Sequence, residues 1–171
     1  MITVYVWIPQ TSTSLGHASM KISPRKPEFA GTVTFKDGSQ VVNTTVDISE
    51  FYVSWWPKSQ PPSFGGIART FLMEGEAHTF QEDINNANEA RMPEFETRIY
   101  TLDEDAISKY WYNFRYKPSS HWHAITNCAT LVGRCLRKAG GPLFLGDNVI
   151  WTPMQVKTYA TQIAGSETVC Q

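Results

Sequence analysis

Asn127-Cys128-Ala129-Thr130-Leu131-Val132-Gly133-Arg134-Cys135-Leu136-Arg137-Lys138-Ala139-Gly140-Gly141 is the stretch around which the rest of the chain can be ordered. Counting from Cys128, apolar side chains fall at Leu131, Val132, Cys135, Leu136 and Ala139, the spacing of one helix face. Arg134, Arg137 and Lys138 gather toward the end where the helix dipole favours cations, and Gly140-Gly141 stops the helix. Cys128 therefore stands in the first turn. A partial positive charge and unpaired backbone N–H groups there favour the thiolate, which is the reactive form. The same N–H groups can receive the oxyanion of an acyl-transfer intermediate. The competing reading is a small buried hydrophobe, since free cysteine is commonly a core residue. Cys135, on the same face, suits that reading equally well.

A thiolate nucleophile needs a base. Upstream, Leu15-Gly16-His17-Ala18-Ser19-Met20-Lys21-Ile22 reads as a strand with His17 and Ser19 on one face and Ala18, Met20 and Ile22 on the other. A strand packed across the cysteine helix would bring His17 to the thiol. His78 lies in a segment of weak pattern. His121 and His123 precede Cys128 closely enough to line the site from the connecting segment, or to be surface loop residues, and both rank below His17 as the base.

The remaining pattern is of strands first and helices later. Residues 2–8, 31–36, 40–48, 51–56 and 95–101 read as strands, with Asp37-Gly38 as a hairpin turn and Pro57 as a stop. A helix is expected after Asp103 through Phe114. Another is expected from Pro153, with Thr152 as N-cap and Gln155 completing a capping box. Residues 67–94 read mostly as loop with room for a short helix. The whole is a single α+β domain over residues 1–171, with an antiparallel sheet packed against helices and the cysteine helix in the C-terminal half.

Composition narrows the function classes. A formal net charge of -1 without a basic run gives no reason to expect nucleic acid as a partner. No apolar stretch approaches the roughly 20 residues of a membrane span. The strand-like start lacks the features of a cleaved signal peptide, so a soluble protein is expected, and any work outside the producing cell would need another delivery route. Three cysteines do not make a disulfide framework, and no metal-ligand spacing or cofactor motif appears, so neither metal nor cofactor is expected. Trp55, Trp56, Phe64 and Phe71 could form an apolar groove or fill the core.

Gly16-His17-Ala18-Ser19-Met20 near the start, with Asn127-Cys128-Ala129-Thr130-Leu131-Val132 near the end, resembles the circularly permuted branch of the NlpC-like papain-fold hydrolases, the lecithin:retinol acyltransferase group. In that branch the histidine precedes the cysteine. The resemblance implies a permuted papain-like fold, Cys128 as nucleophile and His17 as base, with Asn127 structural. His121 falls where the group places a tyrosine thought to support the oxyanion, which makes it a substitute donor. The third polar member of the site is unassigned, with Glu28 and Ser54 as candidates. Tyr52-Val53-Ser54-Trp55-Trp56-Pro57 is similar to a segment of bacterial effector toxins of this fold.

The function expected from this is a cysteine-dependent acyl hydrolase or acyltransferase working through an acyl-thioester, leaning to phospholipid esters. A peptidoglycan amidase or endopeptidase and a protein-directed protease are the alternatives within the class. A non-catalytic binding module is the alternative outside it. A lipid or cell-envelope substrate and a neutralising immunity protein are the partners implied. Alanine at Cys128 or at His17 is expected to abolish activity and leave the fold intact.

Overall fold

The computed structural model describes residues 1–10, 16–23, 33–34, 40–41, 51–58, 73–86, 90–118, 120–123, 125–143 and 150–167. Its centre is a four-stranded antiparallel sheet. The β-branched and aromatic run β1 (Ile2–Trp7) lies in the middle, flanked by β2 (His17–Ile22), with two further short strands, β3 (Val33–Thr34) and β4 (Gln40–Val41), pairing only with each other. On the far side of β2 lies β5 (Tyr52–Val53). Next along the chain come β6 (Trp56–Pro57), β7 (Met73–Glu76) and the helix α1 (Phe80–Asn86). The strand β8 (Phe95–Ile99) closes the other edge of the central sheet, giving the order β5-β2-β1-β8. After α2 (Glu104–Arg115), β9 (His121–Trp122) joins β6 and β7 in a small second sheet, and α3 (Cys128–Lys138) and α4 (Pro153–Glu167) complete the described elements. The architecture is α+β, with antiparallel sheets packed against four helices among the described residues.

The period of two along β1 and β2 sorts their side chains onto two faces, and both faces are buried for different reasons. Ile2, Val4 and Val6 on β1 and Ala18, Met20 and Ile22 on β2 meet Leu131, Val132, Cys135 and Leu136 of α3 and Val156, Ala160 and Ile163 of α4 in one apolar core. The opposite face carries Tyr5, Trp7, His17 and Ser19. Register pairs Trp7 with His17 and Tyr5 with Ser19. That face is covered by α1, whose Phe80 ring lies 4.7 Å from Tyr5, 5.9 Å from Tyr52 and 6.4 Å from Trp7.

The helix limits follow from their caps. Asp103 accepts from the N–H of Ala106 at the start of α2. Thr152 and Gln155 bond reciprocally at the start of α4, as a capping box does. No helix among the described residues is long and apolar enough to cross a membrane.

Two expectations are corrected. Residues 73–86 are not mostly loop: besides α1, the short helix for which the sequence left room, they hold the strand β7. The run 51–56 is not one strand. It breaks at Ser54 and Trp55 into β5 and β6, and Pro57 is the last residue of β6, paired with Gly75 across the edge of the small sheet. Of the two readings left open for Trp55, the core is the one found: it is buried edge-on against Trp111 and Phe114, with ring centroids 6.0 and 5.1 Å away. Phe64, Phe71 and Glu28, the Asp37-Gly38 turn and most of the hairpin around it lie outside the described residues.

Trp55 explains why residue 75 is glycine. A Cβ there would sit 2.1 Å from the indole ring. Gly75→Ala must therefore push a buried tryptophan out of its packing, and overpacking of this kind costs about 1–3 kcal/mol. The expected result is a fall in Tm of a few degrees, read by calorimetry.

Candidate active site

The site is built where β2 is left open. β5 pairs only with Met20 and Lys21, so the edge of β2 beside His17 and Ala18 has no strand neighbour from β5. The start of α3 docks there. Asn127 caps the helix by accepting from the N–H of Thr130 at 2.8 Å and donates its amide to the carbonyl of Trp151 at 3.4 Å. Thr130 in turn accepts from the N–H of Trp151 at 3.0 Å. Asn127 thus fixes the helix start and is not itself turned to chemistry. Thr130 spends its N–H on the Asn127 side chain and Leu131 spends its own on the Asn127 carbonyl. The N–H groups of Cys128 and Ala129 have no partner within the helix and lie at its mouth, where that of Ala129 faces the Cys128 sulfur.

Cys128 is partly exposed. Burial of its sulfur raises the thiol, but the charge and hydrogen bond of His17, with N–H groups of Ala18 and Ala129, more than reverse this and hold it below the ordinary value. Cys135 shows what the same helix face does alone. It is fully buried, and burial pushes it far up. The two cysteines that looked alike in sequence therefore have opposite chemistry.

His17 is positioned by its neighbours on all sides. Gly16 before it has φ +69°, and a Cβ there would meet the carbonyl oxygen of Trp7 at 2.5 Å, so glycine alone allows the chain to enter β2 at this angle. The imidazole stacks on Trp56 with centroids 4.4 Å apart and leans on Trp7 at 5.4 Å. Its Nε2 lies 3.0 Å from Oδ2 of Asp83. An ionised carboxylate can only accept, so Nε2 carries the hydrogen and Nδ1 is the nitrogen left for the thiol.

Asp83, one turn beyond Phe80 on α1, is completely buried. Its oxygens accept from the Tyr52 hydroxyl at 2.6 Å, the Trp56 indole N–H at 2.7 Å, the Ser54 hydroxyl at 2.8 Å and His17. Ser19 completes the network by donating to the Tyr52 oxygen at 2.6 Å. Burial alone would neutralise both members of the pair. The opposite charges outweigh it, lifting His17 to about 10 and lowering Asp83 to about 2. Cys128, His17 and Asp83 thus form a line of thiol, imidazole and carboxylate.

Of the residues singled out by sequence, Cys128, His17, Asn127 and Ser54 come together here. Ser54 sits 3.2 Å from Nε2 of His17 but is subordinate to Asp83, which holds the third position. His121 does not join them. It lies on β9 opposite Glu74. His78 stands behind Trp56, stacked on it at 5.5 Å and bonded to Glu76. Sequence reasoning missed Asp83, though a signal was present. Thr79 and Glu82 form a capping box, the Glu82 carboxylate accepting from the Thr79 N–H at 2.6 Å and the Glu82 N–H reaching the Thr79 hydroxyl at 3.3 Å. Among the described residues no group of His, Cys, Asp and Glu could hold a metal ion.

This is an α+β domain with a thiol, imidazole and carboxylate aligned at a helix start. Residues 66–168 match the model of the IcsB middle domain, and the chain belongs to that family. The matched stretch holds Asp83 and Cys128 and leaves out β1, β2 and His17. No curated protein and no solved structure matches the chain.

Proposed function

We propose that the chain is a cysteine-dependent acyl hydrolase or acyltransferase on a permuted papain-like scaffold, acting on phospholipid esters in the setting of a bacterial effector. The observation that carries the reading is the buried His17 joining the Asp83 carboxylate to the Cys128 thiol. The Cys128 thiolate attacks the ester carbonyl, and the N–H groups at the helix mouth receive the oxyanion. The C–O bond breaks as the leaving alkoxide takes the proton from His17. Water, giving a proton to His17, then opens the thioester, and fatty acid leaves; an alcohol or amine in place of water makes the reaction a transfer.

Support for a lipid substrate comes from exposed apolar side chains around the helix start. Ile125 lies just before Cys128, and Ile150 stands next to Trp151, which is bonded to Asn127 and Thr130. Membership of the IcsB middle-domain family, a bacterial effector domain, supports the effector setting. An immunity protein covering this opening is the partner such a role calls for.

The substrate test is incubation with phospholipid vesicles and, separately, with purified peptidoglycan, followed by mass spectrometry. Fatty acid and lysolipid are expected. Stem-peptide fragments alone would move the reading to a cell-wall amidase, and cleavage of neither directs it to protein substrates. The thiol test is independent of substrate. Alkylation of Cys128 should stay fast well below pH 8.5, where an ordinary thiol slows, and Cys135 should not react in the folded protein. A Cys128 that alkylates only as a free thiol does, or not at all, returns the chain to the non-catalytic binding module.

A further inference from the structure

At the far end of α3 from Cys128 a cavity of about 370 Å³ opens between α2 and α3, walled by Tyr110, Arg134, Arg137 and Lys138. The three cations stand at i, i+3 and i+4, so they share one helix face and repel one another. The helix dipole favours cations at this end, but the last carbonyls do not need their hydrogen bonds. The carbonyls of Cys135, Leu136 and Arg137 already accept from the N–H groups of Ala139, Gly141 and Gly140 at 3.0–3.1 Å. Among the described residues no carboxylate pairs with Arg134 or Lys138. Arg134 is half-buried and lines the cavity together with Tyr110. Guanidinium groups present paired N–H donors that match the oxygens of a phosphoryl group, and an ammonium and a phenol add single donors.

We propose that this cavity binds a phosphoryl group, carried by an anionic phospholipid headgroup or by a soluble phosphate. Arg134 and Lys138 lie six and ten residues beyond Cys128, about 9–15 Å along the helix, so the site is separate from the thiol. The proposal does not rest on acyl chemistry.

Two arms separate the sources, both run on the full chain at matched ionic strength with chloride as control. In the first, millimolar inorganic phosphate is expected to raise Tm by about 3 °C, and Arg134→Gln and Lys138→Gln should each remove most of that rise. In the second, vesicles of phosphatidylcholine containing phosphatidylglycerol should sediment with the protein, vesicles of phosphatidylcholine alone should not, and the same substitutions should release it. A response in the first arm only assigns a soluble phosphate, and a response in the second assigns the headgroup. Lys138 is exposed, so its substitution leaves the fold unstrained and keeps the test readable if Arg134→Gln misfolds. If neither substitution changes either response, or neither probe binds, the proposal is overturned.

Discussion

Cys128→Ala is expected to reduce fatty-acid release from phospholipid vesicles to the uncatalysed background, a loss of at least about a thousandfold. Alanine removes the sulfur that would form the acyl-thioester, and no neighbour can replace it. Ser54 is committed to Asp83, and Cys135 is buried on the core side of the same helix. Because Cys128 is partly exposed and Asn127, not Cys128, caps α3, the fold should be little affected, and Tm should move by no more than a few degrees. Cys128→Ser is the sharper variant. It keeps the size and the hydrogen bonds of the group but not the acidity, so it too should be inactive if a thiolate is required. Cys135→Ala should show the reverse, retained activity with a loss of stability from the cavity it leaves. A Cys128→Ala protein that still releases fatty acid would end the case for the thiol.

The pairing of Cys128 with His17 was legible because each lies on an element with a strong local signature. The period of α3 and the alternation of β2 put the two groups on predictable faces, and the Asn127 cap fixed where the helix begins. Asp83 was not legible for the opposite reason. Its helix has seven residues, too few to show a period, and lies in a segment whose polar side chains mostly face solvent. The reach of Asp83 to His17 depends on Phe80 docking onto Tyr5, Trp7 and Tyr52, a contact between segments far apart in sequence. Trp55 and Trp56 make the same point. They are adjacent and alike in the sequence, yet a break between β5 and β6 sends one into the core and lays the other on the imidazole.

The network also revises the expectation that alanine at His17 leaves the fold intact. Removing the imidazole strands Asp83 as a buried carboxylate without its counter-charge, a change that typically costs about 3–5 kcal/mol. His17→Ala should therefore be inactive and markedly less stable, and it cannot separate catalysis from folding.

Asp83→Asn separates them better, and its expected effects are large. The amide keeps the shape of the carboxylate but has one acceptor oxygen where four donors converge. The hydroxyls of Tyr52 and Ser54 can rotate to accept; the N–H groups of Trp56 and His17 cannot. His17 is then free to take the other tautomer and loses the charge that holds it protonated. Activity should fall by roughly 10²–10⁴, and alkylation of Cys128 should slow below pH 8.5 as the thiol drifts toward ordinary behaviour.

Stability gives a second readout whose sign depends on pH. Asp83 is lowered from 3.8 to about 2, so its contribution is present above 3.8 and lost as pH falls through 2. His17 is raised from 6.5 to about 10, so its contribution is full below 6.5 and lost as pH rises through 10. The Tm difference between the native chain and Asp83→Asn should therefore be widest between pH 3.8 and 6.5 and narrow on both sides. A difference that stays flat from about pH 2 to about pH 10, with the alkylation profile of Cys128 unchanged, would remove Asp83 from the line and leave His17 without its carboxylate.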